Sequence, residues 1–115
     1  MAEPPPPAAH IVSEADNGSA LRLVPGEAVM VILEERPTTG FRWKVVRTPP
    51  CCEVREDDFQ APAAGAPPGA PGKHSWRLQA TRIGSGPFEV RLQPIPGRGG
   101  GETTRSFTVT LTASD

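Results

Sequence analysis

Cysteine is scarce in this chain. The only two among its 115 residues, Cys51 and Cys52, stand side by side. A disulfide between neighbours demands a strained ring, so no structural staple is expected from them. Two cysteines are also too few for a disulfide scaffold or a zinc site. In a strand, adjacent side chains point to opposite faces, so one cysteine is expected inside and the other outside, as ordinary free thiols. Charge of one sign is lacking too: 12 basic residues face 13 acidic ones, for a net charge of -1, and the two kinds are interspersed. Without a basic stripe, a nucleic-acid partner is not expected. No apolar run approaches the roughly 20 residues of a membrane span, so no membrane partner is expected either. Met1 to Ala9 has no basic region followed by an apolar stretch, and hence no signal peptide. A periplasmic or secreted destination would require a leader already removed; otherwise the chain is cytoplasmic. A sustained helical period is also missing, because proline or glycine interrupts most windows of about a dozen residues.

What the chain has in quantity is proline, 15 residues, and glycine, 12. That abundance approaches the composition of disordered chains, but the prolines cluster, and the segments between them alternate cleanly. A chain of this length builds one core. Residues 1–9 read as a flexible proline-rich tail, and residues 10–115 as a single domain, expected to be a monomer. His10-Ile11-Val12 suits a first strand, closed by the turn signal Asp16-Asn17-Gly18. Leu21 and Leu23 alternate with polar neighbours before Pro25-Gly26. The continuous apolar run from Ala28 to Leu33 suits a central strand covered on both faces. Phe41, Trp43 and Val45 share a face, as do Trp76, Leu78 and Ala80, then Phe88, Val90 and Leu92, and finally Phe107, Val109 and Leu111. The last strand is rich in the β-branched residues that pleated, half-buried positions favour. About seven short antiparallel strands separated by turns imply an all-β, two-sheet sandwich, with both tryptophans in its core.

Three connections are more specialised than such a sandwich needs. Arg36-Pro37-Thr38-Thr39-Gly40 separates two strongly apolar strands. It combines a proline that fixes one backbone angle, a glycine that permits a positive one, and two hydroxyls between them. Taken alone it is an ordinary turn. Ala61 to Gly72 contains no large side chain and leads directly into Lys73-His74-Ser75-Trp76, so its backbone can approach another surface closely. The third connection begins Gln93-Pro94-Ile95-Pro96-Gly97 and continues through Arg98 and three glycines; alone it is a flexible hairpin end.

Together these loops resemble the chagasin family of cysteine peptidase inhibitors, over essentially all of residues 10 to 113. The family motif Asn-Pro-Thr-Thr-Gly-Phe/Tyr-x-Trp is matched by Arg36-Pro37-Thr38-Thr39-Gly40-Phe41-Arg42-Trp43, which departs only at its first position. A Gly-x-Gly-Gly loop followed four residues later by an aromatic is matched by Gly69-Ala70-Pro71-Gly72 and Trp76, with Pro71 in place of a glycine. The family's Arg-Pro-Trp/Phe stands where this chain has Gln93-Pro94-Ile95, with the proline alone retained.

The resemblance implies an immunoglobulin-like antiparallel β-sandwich with the three loops at one end, and a papain-like cysteine peptidase as partner. It implies no enzymatic activity, no cofactor and no metal. The peptidase-binding residues would be Pro37, Thr38, Thr39, Gly40 and Phe41 from the first loop, and Gly69, Ala70, Pro71 and Gly72 over the peptidase's nucleophile. Gln93, Pro94 and Ile95 would meet the far wall of the cleft. Phe41 and Trp43 would chiefly anchor the first loop to the core. The missing arginine and aromatic in the third loop predict inhibition weaker or more selective than is usual in the family.

Other constellations are thinner. His74, Ser75, Asp57 and Asp58 suggest a hydrolase by composition, but no nucleophile elbow accompanies them. His10, His74, Cys51 and Cys52 match no zinc spacing. His74 is expected at the surface beside the middle loop, where its protonation would make binding sensitive to pH. The remaining alternative is an immunoglobulin-like binding or adhesion module without peptidase inhibition.

Overall fold

The computed structural model of the chain describes residues 10–36, 40–67, 69–94 and 105–114. Among these, the period-two alternation is realised as eight strands: β1 (His10–Val12), β2 (Ala20–Leu23), β3 (Ala28–Glu35), β4 (Phe41–Arg47), β5 (Cys52–Gln60), β6 (Gly72–Ala80), β7 (Gly84–Pro94) and β8 (Ser106–Ala113). A single 3-10 turn, Glu14–Asp16, is the sole helical element in the described chain. The strands form two four-stranded sheets, ordered β1-β3-β6-β5 and β2-β8-β7-β4. The expected β-sandwich is therefore what forms, with mixed sheets. Most pairings are antiparallel, but β1 runs parallel to β3 and β2 parallel to β8. Both parallel pairs arise because the chain crosses between the sheets, so that β1 and β3 are separated by a strand of the opposite sheet, and parallel neighbours require such a crossover.

The inward faces meet in one core of Val12, Leu23, Val29, Val31, Leu33, Trp43, Trp76, Leu78, Phe88, Val90, Phe107, Val109 and Leu111. Each large apolar side chain taken fully from water contributes about 1.5–3 kcal/mol. Burial of this kind, and not a covalent staple, holds the domain. Trp43 and Trp76 both lie in the core as expected, at 3% and 0% exposure. The run Ala28–Leu33 is an interior strand of its sheet, but Met30 and Ile32 on its outer side are only half-buried, so one face is covered and the other is not.

Two features depart from the sequence reading. β5 has no clean alternation to reveal it: Val54 and Phe59 are its half-buried apolar residues, and a bulge against β6 between Val54 and Glu56 changes the parity between them. An extra residue in one strand shifts every later side chain to the other face. The cysteines depart as well, because both are buried. Cys51 belongs to the turn that precedes β5, so strand alternation does not apply to it. Its Sγ lies 3.6 Å from the Cys52 Sγ and 3.7 Å from the Leu111 carbonyl oxygen. Burial, followed by the hydrogen bond and charge of Cys51, pushes the Cys52 thiol up to about 12. The thiolate is the reactive form, so iodoacetamide at about pH 8 is expected to leave Cys52 unmodified in the folded protein and to label both cysteines in denaturant. Rapid labelling of Cys52 in the folded state, read by mass spectrometry, would contradict this placement.

The second sheet carries its own bulge, between Val45 and Arg47 of β4. There Arg47 Nε donates to Glu89 Oε1 at 2.8 Å and Arg91 Nη2 to Glu89 Oε2 at 3.3 Å. The Arg47 hydrogen bond, with help from Arg91 and against desolvation, holds the Glu89 carboxyl below the usual carboxylate range.

Candidate functional site

Strand register alone determines where the three specialised connections begin and end. Glu35, at the end of β3, stands opposite Gly72, at the start of β6, while Gln60 at the end of β5 stands opposite Lys73. In the other sheet Phe41, the first residue of β4, stands opposite Pro94, the last of β7, and Ser106 of β8 stands opposite Arg91. The stems of all three connections thus emerge at one end of the sandwich. The first connection also crosses between the sheets, leaving β3 in one and entering β4 in the other.

Of the residues expected at the site, Pro37, Thr38, Thr39 and Ile95 lie outside the described residues. Gly40 is buried and enters β4 with φ 84°, a left-handed conformation that glycine adopts without steric cost. Phe41 is half-buried. Gly69 is exposed with φ 82°, and the Ala70 amide donates to the Pro67 carbonyl at 3.1 Å, so this part of the middle connection is a closed turn. Ala70 and Pro71 are half-buried and Gly72 is buried where β6 begins. Gln93 is half-buried and Pro94 exposed at the top of β7. The three groups are joined through their stems: Gly72 to the first connection across β3, and Pro94 to it across β4.

Trp43 closes the first connection. Its backbone amide donates to Glu35 Oε1 at 2.7 Å and its indole Nε1 donates to the Glu34 carbonyl at 2.8 Å. Two residues at the end of β3 are thereby tied to the third residue of β4, across the gap between the sheets. The aromatic-x-tryptophan ending of the first motif thus has a physical role, since the indole N–H stands far enough from the backbone to reach back over the connection.

The sequence reading missed a polar network beneath these stems. His74 is not at the surface; it is 8% exposed, with its ring stacked 4.1 Å from that of Trp76. Its Nδ1 lies 3.1 Å from Glu35 Oε1 and its Nε2 lies 2.5 Å from Asp57 Oδ1. Glu35 is itself buried at 5% exposure. A signal for both was present. Glu35 shares parity with Val29, Val31 and Leu33, and His74 shares it with Trp76, Leu78 and Ala80, so alternation carried one step further places both side chains inward. Asp57 was hidden by the bulge in β5. A groove of about 450 Å³ beside the network is flanked by Phe41, Trp43 and Phe59.

This geometry is not that of a hydrolase. Both nitrogens of His74 already face carboxylates, and Ser75, the next residue along the strand, points to the opposite face. No group of three or more metal-ligating side chains occurs among the described residues.

Comparison with known proteins agrees with the architecture. The model of the chagasin family, peptidase inhibitor family I42, matches residues 22–112. Among solved structures, a cysteine protease inhibitor of Entamoeba histolytica, EhICP2, superposes with a TM-score of 0.74 at 20% identity, covering 91% of this chain and 95% of that one. Amebosin superposes with a TM-score of 0.73 at 22% identity, covering 95% of this chain and all of the other. PbICP-C, solved in complex with falcipain-2, superposes with a TM-score of 0.62 at 12% identity, covering 90% and 89%. At these identities the structures establish the shared fold, and the family model establishes the kinship. No curated protein sequence matches the chain. With its sandwich architecture and a family match spanning nearly all eight strands, the chain belongs to the chagasin family of peptidase inhibitors.

Proposed function

We infer that this protein inhibits papain-like cysteine peptidases reversibly, by placing the three connections at one end of the sandwich into the active-site cleft. The observation that carries this reading is the register that brings the stems of residues 36–40, 61–71 and 95–105 to one end. The complex of the structurally similar PbICP-C with falcipain-2 supports the same class of partner. A papain-like site pairs a thiolate with an imidazolium and attacks a carbonyl presented in line. A blocking segment must fill that space without offering such a carbonyl. The turn at Gly69-Ala70 has little side-chain bulk, and its neighbouring prolines lower the ordering cost of binding. In this reading Gly69, Ala70, Pro71 and Gly72 lie over the nucleophile. Thr38 and Thr39, in a loop shaped by Pro37 and Gly40 and anchored by Phe41, bond the rim on one side, and Pro94 and Ile95, next to Gln93, make apolar contact on the other. At the third motif Gln93 and Ile95 stand where the family has the arginine and aromatic, residue types that most often dominate interfaces, so inhibition is weaker or more selective than is usual in the family.

The test is a panel of papain-like peptidases titrated with wild type and with the double variant Thr38→Ala/Thr39→Ala. Wild type should inhibit at least one enzyme at micromolar concentration. The double variant should be weaker by about 30-fold or more, the equivalent of one hot-spot residue. No inhibition by wild type would overturn the function, and unchanged inhibition by the variant would overturn the wedge.

A further inference from the structure

The Glu35–His74–Asp57 network draws on three strands of one sheet and, through Trp43, on the facing sheet. Glu35 ends β3, His74 lies near the start of β6, Asp57 is in β5, and the Trp43 amide of β4 bonds the same Glu35 oxygen that faces His74. An ionised carboxylate only accepts hydrogen bonds, whereas a neutral imidazole has one donor and an imidazolium two. Both ring nitrogens of His74 face carboxylate oxygens, so both contacts are hydrogen bonds only while each nitrogen carries a proton. When one proton leaves, a lone pair faces a carboxylate and that bond is lost. The remaining charged side chains that line the adjoining groove are Arg42 and Lys44 of β4. Stacking on Trp76 and the edge of Phe59 hold the imidazole ring in place while its charge changes.

We propose that His74 is a positioning residue for inhibition: doubly protonated, it clamps Glu35 to Asp57 and fixes the exit of the first connection against that of the middle one. This rests on the inhibitory reading given above and adds to it a dependence on pH. The clamp is complete while both ring nitrogens carry protons and loses one bond when either proton leaves. Inhibition is accordingly tighter on the acid side. Neither Glu35 nor His74 needs to touch the peptidase for this to hold, because both act through Trp43 and Gly72.

Two measurements on the full chain test it. Inhibition constants of wild type and His74→Gln against one papain-like peptidase are compared at about pH 5.5 and about pH 8, as a ratio at each pH, so that the enzyme's own response cancels. The variant should be about tenfold weaker than wild type at the acid pH, the loss of one charge-assisted bond, and nearly equal to it at the alkaline pH. Independently of any peptidase, the backbone amide resonance of Trp43 should shift across this range in wild type and stay still in His74→Gln. If His74→Gln fails to fold, Asp57→Ala serves instead, since the Asp57 side chain is 54% exposed and its truncation removes one end of the clamp. A folded variant with the same ratio at both pH values overturns the proposal, as does a Trp43 amide that does not shift in wild type. Absence of wild-type inhibition at either pH overturns the inhibitory reading, and the Trp43 amide then still decides whether the clamp exists.

Discussion

Trp43→Ala is expected to abolish inhibition and to lower the free energy of unfolding by about 3–5 kcal/mol. The side chain is 3% exposed and sits in the core between the sheets, so truncation leaves a large cavity that neighbouring strands cannot fill. Small domains have only about 5–15 kcal/mol of stability in total, so the variant should be close to unfolding at physiological temperature. Trp43→Phe separates packing from positioning. It keeps most of the apolar burial but removes the indole donor that bonds the Glu34 carbonyl at 2.8 Å. That loss costs about 1–3 kcal/mol in stability, while the first connection loses its tie across the sheets. Inhibition by Trp43→Phe should therefore fall by more than its urea-unfolding midpoint suggests. A Trp43→Phe protein as inhibitory as wild type would show that the indole bond plays no part in holding the first connection.

Gly72→Ala is expected to be the most damaging of the small substitutions at the candidate site. A Cβ on Gly72 would lie 2.5 Å from the Gln60 carbonyl oxygen and 2.6 Å from the Phe59 ring, closer than real Cβ atoms come to their neighbours. The Phe59 ring can swing aside, but the Gln60 carbonyl is backbone of the adjacent strand. Strands β5 and β6 must then part at the mouth of the middle connection. Overpacking of this kind costs about 1–3 kcal/mol, here concentrated where the middle stem must be rigid, and the melting temperature and inhibition should fall together. Gly69→Ala is the control. Its added methyl meets nothing within 4 Å, and the cost comes only from φ 82°, about 1 kcal/mol. It should weaken inhibition with little change in melting. If Gly72→Ala behaved like Gly69→Ala, the close packing of Gly72 against Gln60 would be refuted.

Much of the molecule was legible in the chain because strand alternation is a local property. The inward sets Trp76-Leu78-Ala80 and Phe107-Val109-Leu111 are contiguous in sequence, and each is buried as expected. The first motif could be read because proline, glycine and the aromatic-x-tryptophan pair act within a few residues of one another. Errors arose where a local rule stopped short or was broken. Strand alternation does not govern Cys51, which occupies a turn, and His74, expected at the surface beside the middle loop, instead continues the inward parity of Trp76. β5 escaped notice because its bulge interrupts the period and its face carries mostly acidic residues.

The sequence by itself determined that this is a β-sandwich, which side of most strands turns inward, and which family's loops it bears, because those depend on neighbours along the chain. Tertiary structure alone decided that Glu35 meets Gly72, that Phe41 meets Pro94, and that the three connections share one end. It also decided that Glu35, His74 and Asp57 form one network under the stems. These are contacts between strands far apart in sequence, set by which strand pairs with which and in what register, and no local pattern of residues encodes that choice.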